Sequence, residues 1–105
     1  AGDIAQAVLV MVGALGQEPG KRGIYHFAGA PDVSWAEFAR AIFKLAGRQV
    51  EVTGIPSSEY PTPAKRPANS RMNCTATEVV FGIQRPNWRN SLVQVLSDLR
   101  KAEIL

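Results

Sequence analysis

Residues 56–67 restrict this chain more than any other stretch, because four of its seven prolines, Pro56, Pro61, Pro63 and Pro67, fall there. Each proline fixes its own φ, removes a backbone donor and pushes the preceding residue out of the helical region. No regular helix or central strand can run through such a segment, so it reads as a stiff, irregular binding loop. Within the overlapping stretch 59–73 sit Lys65, Arg66, Asn69, Ser70 and Arg71. Cationic forks beside amide and hydroxyl groups suit an anion that carries further polar groups, such as a phosphorylated or nucleotide-linked ligand. A plain surface connector is the alternative for a basic, proline-rich stretch.

A chain of 105 residues with 46% apolar content can bury one core and is too short for two. Its net charge of +3 is mild and its twelve Lys and Arg are spread out. The imbalance is local: from Tyr60 to Asn90 there are five cations, Lys65, Arg66, Arg71, Arg85 and Arg89, against one acid, Glu78. Cys74 is the single cysteine, so no intramolecular disulfide or thiolate metal cluster can form, and a cytoplasmic location is expected. The apolar run from Val8 to Val12 is far below the ~20 residues of a membrane span, and no membrane association is expected. The sequence starts at Ala1 and helix signals begin by Asp3, which reads as part of a longer polypeptide.

Four helices and two short strands are expected. Asp3 and Gln6 have capping-box spacing, and Ile4, Val8, Met11, Val12 and Leu15 recur at helical period, which predicts a helix over 4–15 stopped by Gly16. Residues 23–29 read as a short, buried strand between glycines. Ser34 and Glu37 form a second capping box, with Trp35, Phe38, Ala39, Ile42, Leu45 and Ala46 as one apolar stripe, so a helix spans 35–46 and ends at Gly47. Residues 49–55 alternate polar and apolar and read as a half-exposed strand leading into the proline-rich loop. Thr75 and Glu78 suggest a third box opening a short helix closed by Gly82, and Trp88, Leu92, Val95, Leu96 and Leu99 define a last helix over 88–101. So little sheet is expected to abut structure outside this chain.

Few residues invite a catalytic role. His26 reads as a hydrogen-bonded packing residue. Tyr25 has Gly29, not lysine, four positions later. Tyr60 has Ala64 there, with Lys65 one position too late on a proline-broken backbone, so no Tyr/Lys catalytic pair exists. Gly13, Gly16 and Gly20 read as helix ends and turns, since no strand precedes them as a phosphate loop requires. Ser34 reads as a cap, Cys74 as a small packed residue, and Asp32 with Glu37 as helix-start charges. Trp35 and Trp88 are expected in the core. Nucleic-acid binding is disfavoured, because aromatics do not interleave with the basic positions, and no carboxylate pair has metal-ligand spacing.

Three patterns together resemble the C-terminal part of the dTDP-4-dehydrorhamnose reductase family, a branch of the extended short-chain dehydrogenase/reductases. They are Gly23, Tyr25, His26 and Gly29; then Ser34, Trp35, Glu37, Phe38 and Ala39; then Glu59, Tyr60, Pro61, Thr62, Pro63, Ala64, Arg66, Pro67, Asn69 and Ser70. The third is specific to this branch, and the start at Asp3, Ile4 and Ala5 is also similar to the family. The resemblance implies an α/β fold: the C-terminal nucleotide-sugar-binding lobe, residues 1–105, of an extended reductase whose Rossmann half lies outside this chain.

It further implies an NADPH-dependent reduction of the 4-keto group of dTDP-6-deoxy-L-lyxo-4-hexulose to dTDP-L-rhamnose for polysaccharide biosynthesis. The dinucleotide turn and the Tyr/Lys pair belong to the other half, so this chain by itself is expected to hold no NADPH and to be inactive. Some family members use Mg2+ or dimerise. To this chain the resemblance leaves the dTDP-sugar: Arg66 toward the diphosphate or a carboxylate that orients it, Asn69 and Ser70 as polar contacts, and Tyr60, Pro61 and Thr62 shaping the cleft. Two other readings stay open, a non-catalytic partner-binding relative of the same fold and a free-standing basic interaction module. Isolated from its other half, the lobe is also expected to self-associate.

Overall fold

From Ile4 to Gln17 no side chain carries a charge, and this stretch, rich in Ala, Val, Leu and Met, forms most of α1, Gly2–Gln17. The computed structural model describes residues 1–105. Asp3 does not cap α1: the helix begins two residues earlier than expected, with Ala1 at the cap position and no side-chain cap bond. The Asp3 carboxylate instead lies in the first turn, where it complements the helix dipole. Nor does Gly16 end the helix. The Glu18 amide still donates to the Ala14 carbonyl at 2.8 Å, and Pro19 then forces a 3₁₀ turn, Pro19–Lys21.

α2 is Trp35–Ala46, α3 is Thr75–Phe81 and α4 is Trp88–Lys101. The Ser34 box holds as expected: its hydroxyl accepts from the Glu37 amide at 3.2 Å, and the Glu37 carboxylate accepts from the Ser34 amide at 3.2 Å. Gly47 ends α2 at φ 70° and Gly82 ends α3 at φ 66°, left-handed positions where a Cβ is strained. The expected Thr75 box does not form. Cys74 occupies the cap position, and the Asn73 side chain accepts the Thr75 amide at 3.0 Å.

Neither expected strand forms. Residues 23–29 and 49–55 are extended but unpaired, and the sheet-like contact at Ala30 is one isolated bridge. Strands need a neighbour to satisfy their amides and carbonyls; here side chains take over part of that role. Ile24 is 89% exposed, and His26 is exposed as well, so neither is the packed residue its pattern suggested.

The chain divides into two compact units, Ala1–Ala30 with Arg71–Pro86, and Pro31–Ser70 with Asn87–Leu105. In the first, α1 and α3 pack around buried Ala7, Cys74 and Thr77. The Thr77 hydroxyl donates to the His26 carbonyl, the Arg85 guanidinium donates to the carbonyls of Ala28 and Gly29, and the Ala30 amide donates to the Pro86 carbonyl at 2.7 Å. Tyr25 meets Phe81 edge-on at 4.7 Å between ring centres, and its hydroxyl donates to the Lys21 carbonyl. The extended 23–30 segment is thus fastened by side chains and loop backbone, not by a sheet.

In the second unit α2 packs on α4. Phe38 meets Trp88 edge-on at 5.2 Å, Leu96 is buried, and the Arg100 guanidinium donates to the Leu45 carbonyl at 3.1 Å. The Trp88 indole N–H donates to the Pro31 carbonyl at 2.8 Å, which fixes the approach to α2. Trp35 departs from expectation: it is 84% exposed. It stands at the first position of α2 and touches Phe38 only by its edge, at 6.1 Å.

Candidate functional site

The second unit presents the proline-rich loop through α2. Arg40 reaches from α2 to the Val52 carbonyl with a 3.0 Å bond, and a methyl group added to Gly54 would lie 3.8 Å from the Ala36 Cβ. The extended 48–55 segment therefore runs against α2 and delivers Pro56 to a defined point. A single 3₁₀ turn follows, Ser57–Glu59, with the Glu59 amide donating to the Pro56 carbonyl at 2.9 Å and the Tyr60 amide to the Ser57 carbonyl at 3.2 Å. The Thr62 hydroxyl donates to the Ala64 carbonyl at 2.7 Å, pinning the loop between two prolines.

Tyr60, Pro61, Thr62, Arg66, Asn69 and Ser70, the residues singled out from the sequence, all lie on this one loop and are all exposed. Tyr60 shows 71% of its surface. These side chains share one open, polar and cationic stretch of chain. Lys65 is exposed beside them.

The basic excess seen from Tyr60 to Asn90 divides on inspection. Arg85 belongs to the first unit, where it holds two backbone carbonyls. Arg89 lies over the Trp88 ring at 4.4 Å, a cation–π contact within the second unit. Arg71, read from the sequence as part of the loop, begins the second piece of the first unit, which leaves Lys65 and Arg66 as the cations of that set carried by the loop itself. At the start of α2, the Glu37 carboxyl is held below its usual value, first by the Ser34 backbone N–H, then by the Ser34 hydroxyl, with Arg40 and Arg89 adding to the effect. A carboxylate that stays ionised there keeps the helix start, and with it the platform for the loop, intact.

Sequence reasoning did not anticipate Arg40 and Arg85 as backbone tethers. Their signal was present only as arginines flanking extended segments that lack a strand partner. A cavity of about 280 Å³ lies in the first unit, walled by Ala7, Val10, Phe27, Phe81 and Pro86, with Asp3, Gln6 and Gln84 supplying polar atoms. None of the sequence-predicted residues lines it. No group of three His, Cys, Asp or Glu side chains is placed to hold a metal ion. No helix is long and apolar enough to cross a membrane.

Residues 1–101 match the family described as the RmlD substrate binding domain. A dTDP-4-dehydrorhamnose reductase of Sinorhizobium fredii is 50% identical over 74 residues, covering 67% of this chain and 25% of that protein. One from Aggregatibacter actinomycetemcomitans is 41% identical over 105 residues, covering 90% of this chain and 34% of its own. The spore coat polysaccharide biosynthesis protein SpsK of Bacillus subtilis is 32% identical over 100 residues, with 95% and 33% covered. The chain thus spans a quarter to a third of the length of these relatives. By the match along nearly its whole length, this chain belongs to the RmlD substrate-binding domain family.

Proposed function

We propose that this chain is the nucleotide-sugar-binding part of a dTDP-4-dehydrorhamnose reductase, and that the loop from Tyr60 to Ser70 grips the diphosphate and the groups next to it. The observation that carries this reading is the exposure of Arg66, Asn69 and Ser70 together on one proline-stiffened loop within a domain whose family is described by substrate binding. Arg66 offers a planar fork matched to phosphate oxygens, and the Asn69 amide and Ser70 hydroxyl suit neutral sugar or phosphate oxygens. Tyr60, Pro61 and Thr62 shape the wall of the cleft. Because Pro61, Pro63 and Pro67 limit the unbound loop, less conformational freedom is lost when a ligand is seated.

The reaction in this reading is the reduction of the 4-keto group of dTDP-6-deoxy-L-lyxo-4-hexulose to dTDP-L-rhamnose, a step toward surface polysaccharide in the cytoplasm. NADPH would supply the hydride when bound. The residues of this chain do not fit that cofactor: no glycine-rich strand-to-helix turn is present and neither tyrosine has a lysine four positions on. The same holds for Mg2+, since no acidic cluster is assembled. Hydride and proton transfer are therefore assigned to the part of the reductase outside the matched domain, and this chain alone to binding and orientation without turnover.

Titration calorimetry with dTDP tests the assignment. The Arg66→Ala variant is expected to weaken dTDP binding by about ten- to a hundredfold, the range of one charge-assisted hydrogen bond, while Arg66→Lys recovers part of the loss. Equal affinity of the wild-type protein and Arg66→Ala for dTDP would overturn the role given to Arg66.

A further inference from the structure

The two tyrosines of the chain stand in opposite settings. Tyr25 is taken up inside its unit, edge-on to Phe81 and bonded to the Lys21 carbonyl, whereas Tyr60 shows 71% of its surface. The backbone of Tyr60 is fixed on both sides all the same: its amide donates to the Ser57 carbonyl at 3.2 Å, and Pro61 follows. An aromatic ring on a fixed backbone with its faces in water is a ready stacking surface. Beyond Tyr60 the loop changes character twice. Lys65 and Arg66 are its cations, and Asn69 and Ser70 follow with an amide and a hydroxyl. Pro61, Pro63 and Pro67 bias Tyr60, Thr62 and Arg66 toward extended backbone, and neither α-helix nor strand runs through residues 60–70. The aromatic, cationic and neutral polar groups are therefore strung along the loop in that order and do not collect on one helix face.

A nucleoside diphosphate sugar also has its parts in a fixed order: a flat base, a charged diphosphate and a hydroxyl-rich hexose. We infer that residues 60–70 hold such a ligand lengthwise, with the base stacked on Tyr60, the diphosphate at Lys65 and Arg66, and the hexose at Asn69 and Ser70. The inference rests on the nucleotide-sugar reading and adds to it the direction in which the ligand lies and a role for the Tyr60 ring. The reverse direction would set the base against two short polar side chains and forgo the stacking contact. It would also leave the hexose hydroxyls over a ring with a single polar atom. Stacking on an aromatic face accepts any base, so Tyr60 supplies affinity for the nucleotide end and leaves the identity of the base to groups elsewhere.

Titration calorimetry with three probes, inorganic pyrophosphate, dTDP and dTDP-L-rhamnose, tests it. Tyr60→Ala is expected to lower affinity for dTDP about five- to a hundredfold, the range for one base stacked on an aromatic ring, with no matching loss for pyrophosphate. Tyr60→Phe keeps the ring and is expected to bind dTDP like the wild type. Ser70→Ala is expected to lower affinity for dTDP-L-rhamnose about three- to tenfold, the range of one neutral hydrogen bond, and to leave dTDP unaffected. Arg66→Ala separates this inference from the reading beneath it, because a loop that holds the diphosphate loses affinity for all three probes. A loss with Arg66→Ala and none with Tyr60→Ala would overturn the inference alone. Equal losses for pyrophosphate and dTDP in Tyr60→Ala would overturn it as well, since the ring would then only shape the loop. So would the reversed pattern, in which Tyr60→Ala weakens only dTDP-L-rhamnose and Ser70→Ala weakens dTDP. No loss with Arg66→Ala would remove the nucleotide-sugar reading and the inference with it.

Discussion

The Arg40 guanidinium on α2 donates to the backbone carbonyl of Val52 at 3.0 Å, bridging twelve positions in sequence and tying the lead-in of the proline-rich loop to a helix. Arg40→Met keeps the aliphatic stem and removes the donor. The bond is exposed, so its loss is expected to cost about 1 kcal/mol or less. Limited proteolysis between residues 50 and 60 should quicken several-fold, with α4 left intact. Unchanged cleavage in that stretch would show that the loop is held by other means.

Thr77 is 1% exposed and its hydroxyl donates to the His26 carbonyl. Thr77→Val keeps the shape but takes away the donor, leaving that carbonyl one partner short. A loss of about 1–2 kcal/mol is expected, the cost of a buried hydrogen bond left unmade. In a domain of this size that lowers Tm by roughly 5–15 °C, read by thermal unfolding. A change of less than about 2 °C would mean that the 23–30 segment draws its stability from Tyr25 and Arg85 instead.

Glu37 gives the protein a defined acid response. Its carboxyl titrates below the usual carboxylate range because the Ser34 amide and hydroxyl hydrogen-bond its charged form. A folded-state value lower than the unfolded one adds stability that is present above the unfolded value and lost as pH falls through the folded one. The wild-type protein should therefore lose stability below the normal glutamate range, and Glu37→Gln should lose less over the same interval. Parallel acid-unfolding curves for the two proteins would contradict this.

Two glycines should respond in opposite directions to the same change. Gly47, at φ 70°, forces any replacement side chain into the left-handed region, so Gly47→Ala is expected to destabilise by about 1–2 kcal/mol. Gly13 lies inside α1, where an added methyl group meets nothing within 4 Å, so Gly13→Ala should stabilise by roughly 0.5–1 kcal/mol. Urea unfolding midpoints compare the two directly.

The helices were legible wherever a local device sets their ends. Ser34 with Glu37 opens α2, Gly47 closes it and Gly82 closes α3, all at the positions the pattern assigns. Where a cap could be replaced by a neighbour the reading slipped, as with Asn73 standing in for Thr75. The strands were misjudged because extended residues become a strand only beside another one, and nothing in 23–29 or 49–55 reveals its partner. Trp35 fits the period of its helix, yet period alone does not tell how far the opposing helix extends, and the contact is made at Phe38 and Trp88. For the site, residue types and loop stiffness were visible in the sequence. The tethers that aim the loop were not, since Arg40 and Val52 are neither adjacent nor on one periodic face.

The first unit is assembled from Ala1–Ala30 and Arg71–Pro86, with residues 31–70 emerging between its two pieces. During synthesis α1 and the 23–30 segment therefore leave the ribosome long before Thr77 and Arg85, the residues that close on them, have been made. The contacts of α1 with α3 must wait while the whole of α2 and the proline-rich loop are translated. Contacts this distant in sequence slow folding, because the intervening chain has to be looped before they can form. Chaperone demand should thus fall on residues 1–30, and a rearranged gene in which residues 71–86 follow residue 30 directly should relieve it.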